Sequence, residues 1–231
     1  MRKPPVIARE KRSRAKPVRA KPVEVKPVEP ESGYHHGDLQ EALIAATEAI
    51  LADHGAERFT LREAARRAGV SPAAPSHHFG NAPGLLTEVA IRGYDELGAA
   101  LKQAAAKKGS ERQRLQAQGL AYVEFALKYP GRFQMMFSSK RLIADDERLR
   151  KAVKAAHREF EIVVDELMAH EPNATPNLAK IASTVAWSTV HGFAKLALEG
   201  KFGTADTAAG RRDIMATLRQ VLDYFWLTSA R

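Results

Sequence analysis

Residues 60–79, TLREAARRAGVSPAAPSHHF, restrict the fold more than any other part of the chain. Thr60 followed three residues later by Glu63 makes a capping box that opens a helix. Leu61, Ala64, Ala65 and Ala68 give that helix a buried side, and the small Ala65 lets a second helix come close. Gly69 supplies the positive φ of a tight turn, with Val70 packed beneath it. Ser71 then offers a second cap, with Pro72 at the first helical position, where a missing N–H costs nothing. Two short helices joined by a tight turn make a helix-turn-helix, whose second helix is shaped to lie in the major groove of DNA. An αα-hairpin within a helical bundle satisfies the same local pattern, so the groove reading needs support from the rest of the chain.

The candidate DNA contacts are Thr60 and Arg62 at the start of the first helix and Ser71, Ala73, Ala74, Ser76, His77 and His78 on the second. Small side chains let the backbone approach and can touch thymine methyl groups, and Ser and His can bond bases or phosphates. Arg62 can pair with a guanine edge or hold a phosphate. The adjacent histidines His35-His36 and His77-His78 do not suit a metal. Neighbours on a helix point apart, and no carboxylate or thiolate stands at ligand spacing beside them.

Charge sharpens the picture. The chain has 231 residues and a formal net charge of +9. Residues 1–33 hold ten Lys or Arg against four Glu, which places +6 in this segment and leaves +3 for the rest. Lys-Pro-Val recurs there at Lys16, Lys21 and Lys26. Proline density and the lack of concentrated apolar residues predict an extended, disordered arm. Such an arm suits non-specific phosphate contact, and equally a solubility tail. There are no cysteines, which excludes disulfides and thiolate zinc sites. No apolar run approaches the roughly 20 residues that span a bilayer, and no signal-peptide core follows the basic start. The expectation is a soluble, cytoplasmic protein with no membrane partner and no cofactor.

From Asp38 onward the apolar period is helical. Leu39, Leu43, Ile44, Ala46, Ile50 and Leu51 form a stripe that ends at Gly55. After the motif come predicted helices over about 83–107, 111–129, 145–170, 177–199 and 211–227, with a short Phe- and Met-rich segment at 132–137. Pro130-Gly131 is expected to stop the helix over 111–129. No segment alternates with period two for long enough to argue a strand. The fold class is all-α: a three-helix domain over 34–82 and a helical domain of roughly six helices over 83–231.

Several motifs carry a family resemblance. Tyr34-His35-His36-Gly37-Asp38-Leu39, Thr60-Leu61-Arg62-Glu63, Ala68-Gly69-Val70-Ser71, His78-Phe79 and Leu85-Leu86 resemble the N-terminal domain of the TetR/AcrR transcriptional regulators. Phe125-Ala126-Leu127, Tyr129-Pro130, Phe133, Trp187 and His191-Gly192 are similar to the subgroup named for its Trp-His-Gly motif. Together these cover nearly all of residues 34–227. The resemblance implies a homodimeric repressor that binds a pseudo-palindromic double-stranded DNA operator and leaves it when a small-molecule effector binds. It also marks two departures. The family usually carries an aromatic residue in place of Ser76 and a lysine in place of Ala82, and both typically contact phosphates. Losing them weakens the phosphate grip and flattens its salt dependence, which the basic arm can offset.

The candidate pocket residues are Phe125, Tyr129, Phe133, Met136 and Phe137, gathered around the Pro130 break, with His157, Phe160, Trp187 and His191. Core packing is the competing role for each. His191, a polar residue in an apolar helix, needs a partner. The scarcity of cations among these residues disfavours a strongly anionic effector. For dimerisation the candidates are Val185, Val190, Ala194 and Leu198 on one helix and Ile214, Leu218, Val221, Leu222 and Phe225 on the last, paired with their copies in a four-helix bundle. Three other functions stay open: an enzyme, though no phosphate loop, nucleophile elbow or carboxylate pair is present; a nucleoid-type DNA binder without an operator; and an activator.

Overall fold

The computed structural model describes residues 36–229, and the arm at 1–33 and His35 lie outside them. The described chain is built from α-helices: α1 (His36–His54), α2 (Leu61–Ala68), α3 (Ala74–Phe79), α4 (Ala82–Ala105), α5 (Glu111–Lys128), α6 (Pro130–Met136), α7 (Glu147–Met168), α8 (Pro176–Leu198) and α9 (Ala208–Ser229). Single 3-10 turns precede α2 (Ala56–Arg58) and α7 (Ser139–Arg141). Among the described residues there is no strand, only one isolated bridge between Lys201 and Gly203.

Three apolar clusters organise these helices, and α4 supplies buried residues to two of them. Its first turns place Leu85, Leu86 and Val89 against Ile44, Ile50 and Leu51 of α1, with Phe59, Ala64 and Met135 closing the cluster. Its later turns place Tyr94, Leu97 and Leu101 in a larger core with Tyr122, Val123 and Ala126 of α5, Phe133 and Met136 of α6, and Ala152 and Ala156 of α7. Val190 and Ala194 of α8 and Ile214, Leu218 and Leu222 of α9 complete that core. The predicted stripe of α1 is buried from Leu43 onward, with Leu43 and Ile50 fully enclosed, while Leu39 is half-buried.

Helix starts differ from the sequence reading in instructive ways. α1 is already helical at His36, so Gly37-Asp38 does not cap it. The Thr60 cap is made, its hydroxyl accepting from Glu63 N–H at 3.2 Å. The reciprocal half of the box is absent because the Glu63 carboxylate is taken by Arg66 (2.8 and 2.7 Å) and Arg67 (3.0 Å). Gly69 adopts φ 68°, and the N–H groups of Gly69 and Val70 bond back to the last turn of α2. Ser71 does not cap α3, which begins at Ala74. A helix capped at Ser71 needs its first intrahelical bond from the N–H of residue 75, and Pro75 has none. A turn forms instead, Ala74 N–H to Ser71 C=O at 3.1 Å, and the first α-type bond runs from His77 to Ala73. Pro130 does end α5, but it also serves as the first residue of α6. Asn81, Ser110, Asp146 and Thr175 cap α4, α5, α7 and α8 through their side chains.

α6 lies directly on α1. A Cβ built on Gly131 would stand 2.6 Å from the Leu51 carbonyl carbon and 2.7 Å from the Ala52 nitrogen, both backbone atoms with no freedom to yield. Gly131→Ala is therefore expected to destabilise the fold by about 1–3 kcal/mol, the usual cost of overpacking, in urea unfolding followed by circular dichroism. A second expectation concerns acid. Two arginines bonded to Glu63 hold its carboxyl down at about 2, against an ordinary 4.5. The folded state thus binds this proton more weakly than the unfolded state. The stabilisation is complete above about pH 4.5 and disappears as pH falls toward 2. Glu63→Gln removes that dependence, and the midpoint-versus-pH curve of the variant is flatter in this window.

Candidate nucleic-acid interface and ligand cavity

The helix-turn-helix presents a defined outer face. Ala64 and Ala65 of α2 and Pro75 of α3 are buried, and Leu61 and Phe79 pack against the α1–α4 cluster. That fixes what remains outside. Thr60, Arg62, Ser71, Ala73, Ser76 and His77 are exposed, while Ala74 and His78 are half-buried on the inner side of the same short helix. The His77 and His78 rings meet edge-on at 5.2 Å. Six of the eight candidate DNA contacts are thus exposed, and Ala74 and His78 are half-buried.

The arginines of α2 divide by commitment. Arg66 and Arg67 are held by Glu63, and Arg67 also by Asp53 at 2.6 Å. Arg62 is exposed and makes no ion pair among the described residues. A guanidinium without an internal carboxylate is the one that can bind a phosphate or a base edge without first breaking a bond. Among the described residues no three His, Asp or Glu side chains gather as a metal site.

The second site is an apolar cavity of about 240 Å³ walled by α4, α5, α7 and α8. Of the residues expected there, Phe137, His157, Phe160 and Trp187 line it. Five others do not. Phe133 and Met136 are packed into the core. His191 stands behind Tyr122, its Nδ1 2.8 Å from the Tyr122 hydroxyl, with Phe137 at 4.5 Å and Trp187 at 5.5 Å. Phe125 and Tyr129 turn to the other side of α5, where Tyr129 lies under Lys128 and Arg132 beside a polar groove. Clustering near Pro130 put these side chains in one neighbourhood, but periodicity alone does not say which side of a buried helix meets empty space.

Sequence reasoning passed over Tyr94, Gln118, Tyr122 and Val153, which line the cavity. Gln118 had a readable signal: it is a lone polar residue in the apolar stripe Leu115, Gly119, Tyr122, Ala126. Burial pushes the Tyr94 hydroxyl up to about 12 and raises that of Tyr122 as well. Burial, with Lys195 adding a smaller repulsion, lowers the pKa of His191. Burial thus favours the protonated phenol and the uncharged imidazole, and the histidine tautomer decides which of them donates.

The dimer candidates need correction. Val190, Ala194, Ile214, Leu218 and Leu222 are buried inside the single chain, where α8 and α9 pack on α5, and Val190 also lines the cavity. Leu198 is half-buried against the same core. Val185 and Val221 of the set are exposed, and the side chain of Phe225 lies outside the described residues. The reason is that α8 carries two apolar faces. The outer one, Leu178, Ile181, Val185 and Leu196, is 40–49% exposed, and Tyr224 joins Val221 on α9.

Comparison with known proteins follows this geometry. Residues 43–89 match the family model for bacterial regulatory proteins of the tetR family, and residues 115–225 match that for the tetracyclin repressor-like C-terminal domain. A Rhodococcus sp. RHA1 protein of unknown function is 32% identical, with 84% of this chain and 98% of that chain covered and a TM-score of 0.66. The fold is shared with the TetR family transcriptional regulator PfmR of Thermus thermophilus (16% identity, 78% and 94% covered, TM-score 0.60). It is also shared with a tetR-family regulatory protein of Rhodococcus RHA1 (18% identity, 80% and 95% covered, TM-score 0.61). None of the curated proteins compared matches the chain. With both halves matched to one family and the helix-turn-helix formed in space, the chain belongs to the TetR family of bacterial transcriptional regulators.

Proposed function

We propose that the protein is a homodimeric repressor that binds a pseudo-palindromic operator and releases it when a small molecule fills the cavity. In this reading residues 34–82 hold the DNA and residues 83–231 hold the effector and the partner subunit. The subgroup assignment rests on Trp187, His191 and Gly192, with the first two packed around Tyr122. The observation that carries the reading is the shared helix: α4 supplies Leu85, Leu86 and Val89 to the DNA-reading cluster and Tyr94, Leu97 and Leu101 to the cavity wall. A ligand that repositions the second half of α4 acts on the same rigid element that supports the first.

Dimerisation is assigned to the outer face of α8, through Ile181, Val185 and Leu196, with Val221 and Tyr224 of α9. Ile181, Val185, Leu196 and Val221 are exposed apolar side chains suited to meeting a copy of themselves. A two-fold dimer then sets two α3 helices to read major grooves one helical turn apart.

The decisive experiment is footprinting on the DNA flanking the gene. One protected palindrome supports the operator reading, and even coverage supports a nucleoid-type binder. Repression or activation is read from a reporter placed under the same site. Arg62→Ala is expected to weaken binding tenfold or more. An unchanged salt slope then marks a base contact, and a slope smaller by about one per subunit marks a phosphate. Removing residues 1–33 should lower affinity and flatten the salt slope further, and unchanged affinity across salt excludes the arm from binding. The double variant Ile181→Asp, Val185→Asp should sediment as a folded monomer, since both side chains are exposed in the single chain.

A further inference from the structure

Gln118 is fully buried on α5 and lines the cavity. Its side-chain nitrogen is anchored twice, to the Leu101 carbonyl of α4 at 3.3 Å and to the Glu159 carbonyl of α7 at 2.7 Å. Two carbonyls fix which end of the amide is nitrogen, because a flipped amide would set oxygen against oxygen twice. The oxygen that remains, Oε1, has no hydrogen-bond partner among the described residues. An unmatched buried acceptor carries a desolvation cost that a bound donor removes.

The other buried polar groups of the cavity are already engaged. The Tyr94 hydroxyl donates to the Met136 carbonyl at 2.8 Å. The Tyr122 hydroxyl and His191 Nδ1 share a hydrogen bond of 2.8 Å. Among the described residues, Gln118 Oε1 is thus the one buried polar side-chain atom of the lining that has no hydrogen-bond partner. His157 is at the rim, exposed and beside Glu161. The lining holds no Lys, Arg, Asp or Glu, so nothing there neutralises an ion. The remaining walls are aliphatic and aromatic. A cavity of about 240 Å³ lies below the roughly 300–1,000 Å³ that takes drug-sized ligands.

We infer that the cavity is built for a small, uncharged, one- or two-ring molecule carrying a hydroxyl or N–H donor, which it presents to Gln118 Oε1. The inference rests on the effector reading of this cavity and narrows it to a chemical class, with Gln118 as the residue that sets specificity. It predicts that the donor is recognised and that shape alone is not sufficient.

The test is calorimetric titration of the full chain with matched pairs: phenol against toluene, and indole against 1-methylindole. The donor-bearing member of each pair is expected to bind about tenfold more tightly. In Gln118→Met, which keeps the length of the side chain but not its oxygen, the two members bind within twofold of each other. Should loss of the α4 and α7 anchors unfold that variant, the wild-type pairs decide the matter by themselves. Val153→Trp, at the half-exposed rim, should weaken both members alike and so locate them in the cavity. Equal binding within each pair on the wild-type protein overturns the donor inference and leaves the effector reading standing. Preference retained in a folded Gln118→Met variant overturns the assignment to Gln118. Absence of binding by every member overturns both the inference and the effector reading of this cavity.

Discussion

One helix carries the architecture. α4 runs unbroken from Asn81, whose side chain caps it, to Ala105, and at about 1.5 Å per residue it is about 36 Å long. Its buried residues continue without a gap from Leu85 to Ala104, but their neighbours change. Up to Val89 they face α1 and α6, and from Tyr94 they face α5, α6 and α7. A hydrogen-bonded helix resists bending in its interior, and no proline or kink interrupts this one after its first turn. Two cores that share such an element cannot repack independently. Any account of how the two halves of the chain communicate has to pass through it.

Ion pairs reinforce the same junction. Arg92 of α4 reaches Glu41 of α1, and Arg132 of α6 reaches Glu48 of α1 and Glu96 of α4. Arg141, before α7, holds the Ala56 carbonyl and Glu57 in the turn ahead of α2. The carboxylates Glu41 and Glu57 are largely exposed, so these two pairs contribute little to stability, of the order of 0–1 kcal/mol each. Arg132 differs, since it is mostly buried and also covers the Tyr129 ring. Removing one of its partners leaves a desolvated charge, which is costly. The pairs act less as glue than as a register that sets how α6 and α4 meet α1, and the apolar clusters supply the adhesion.

The sequence specified much of this through local chemistry. Helix order, the Gly69 turn and the Thr60 cap follow from side chains acting on their own backbone, which is why they could be read without knowing the fold. Ser71 shows where such reading ends. Its cap is attractive by the rules for residues 71 and 72, and it fails because of Pro75, four residues on. The five pocket candidates outside the cavity and the dimer candidates buried within the chain depart for another reason. Val190, Ala194, Ile214 and Leu218 have the spacing of a buried stripe, and they are buried, but in their own chain rather than against a copy. Ile181, Val185 and Leu196 repeat the same spacing on the opposite face of α8. Period tells which residues share a face and not what the face meets. Gln118 was the opposite case, where one polar residue in an apolar stripe marked a cavity wall.

The cavity and the shared helix constrain one another. A void lined by apolar side chains forfeits packing contacts, so its presence beside a close-packed core is held at a cost in stability. The place where that cost is borne is informative. It lies against Tyr94, Leu97 and Leu101, on the half of α4 that does not touch the DNA-reading cluster. Under the proposed mechanism a ligand can shift the DNA-binding equilibrium only by its difference in affinity between two placements of that wall, whatever its absolute affinity. Gln118 bears on that difference directly. Its amide ties α5 to the Leu101 carbonyl of α4 and the Glu159 carbonyl of α7 while its oxygen is left unmatched. A donor that bonds this oxygen pulls on a side chain already strung between α4 and α7. Recognition of the ligand and positioning of the shared helix then fall to the same residue.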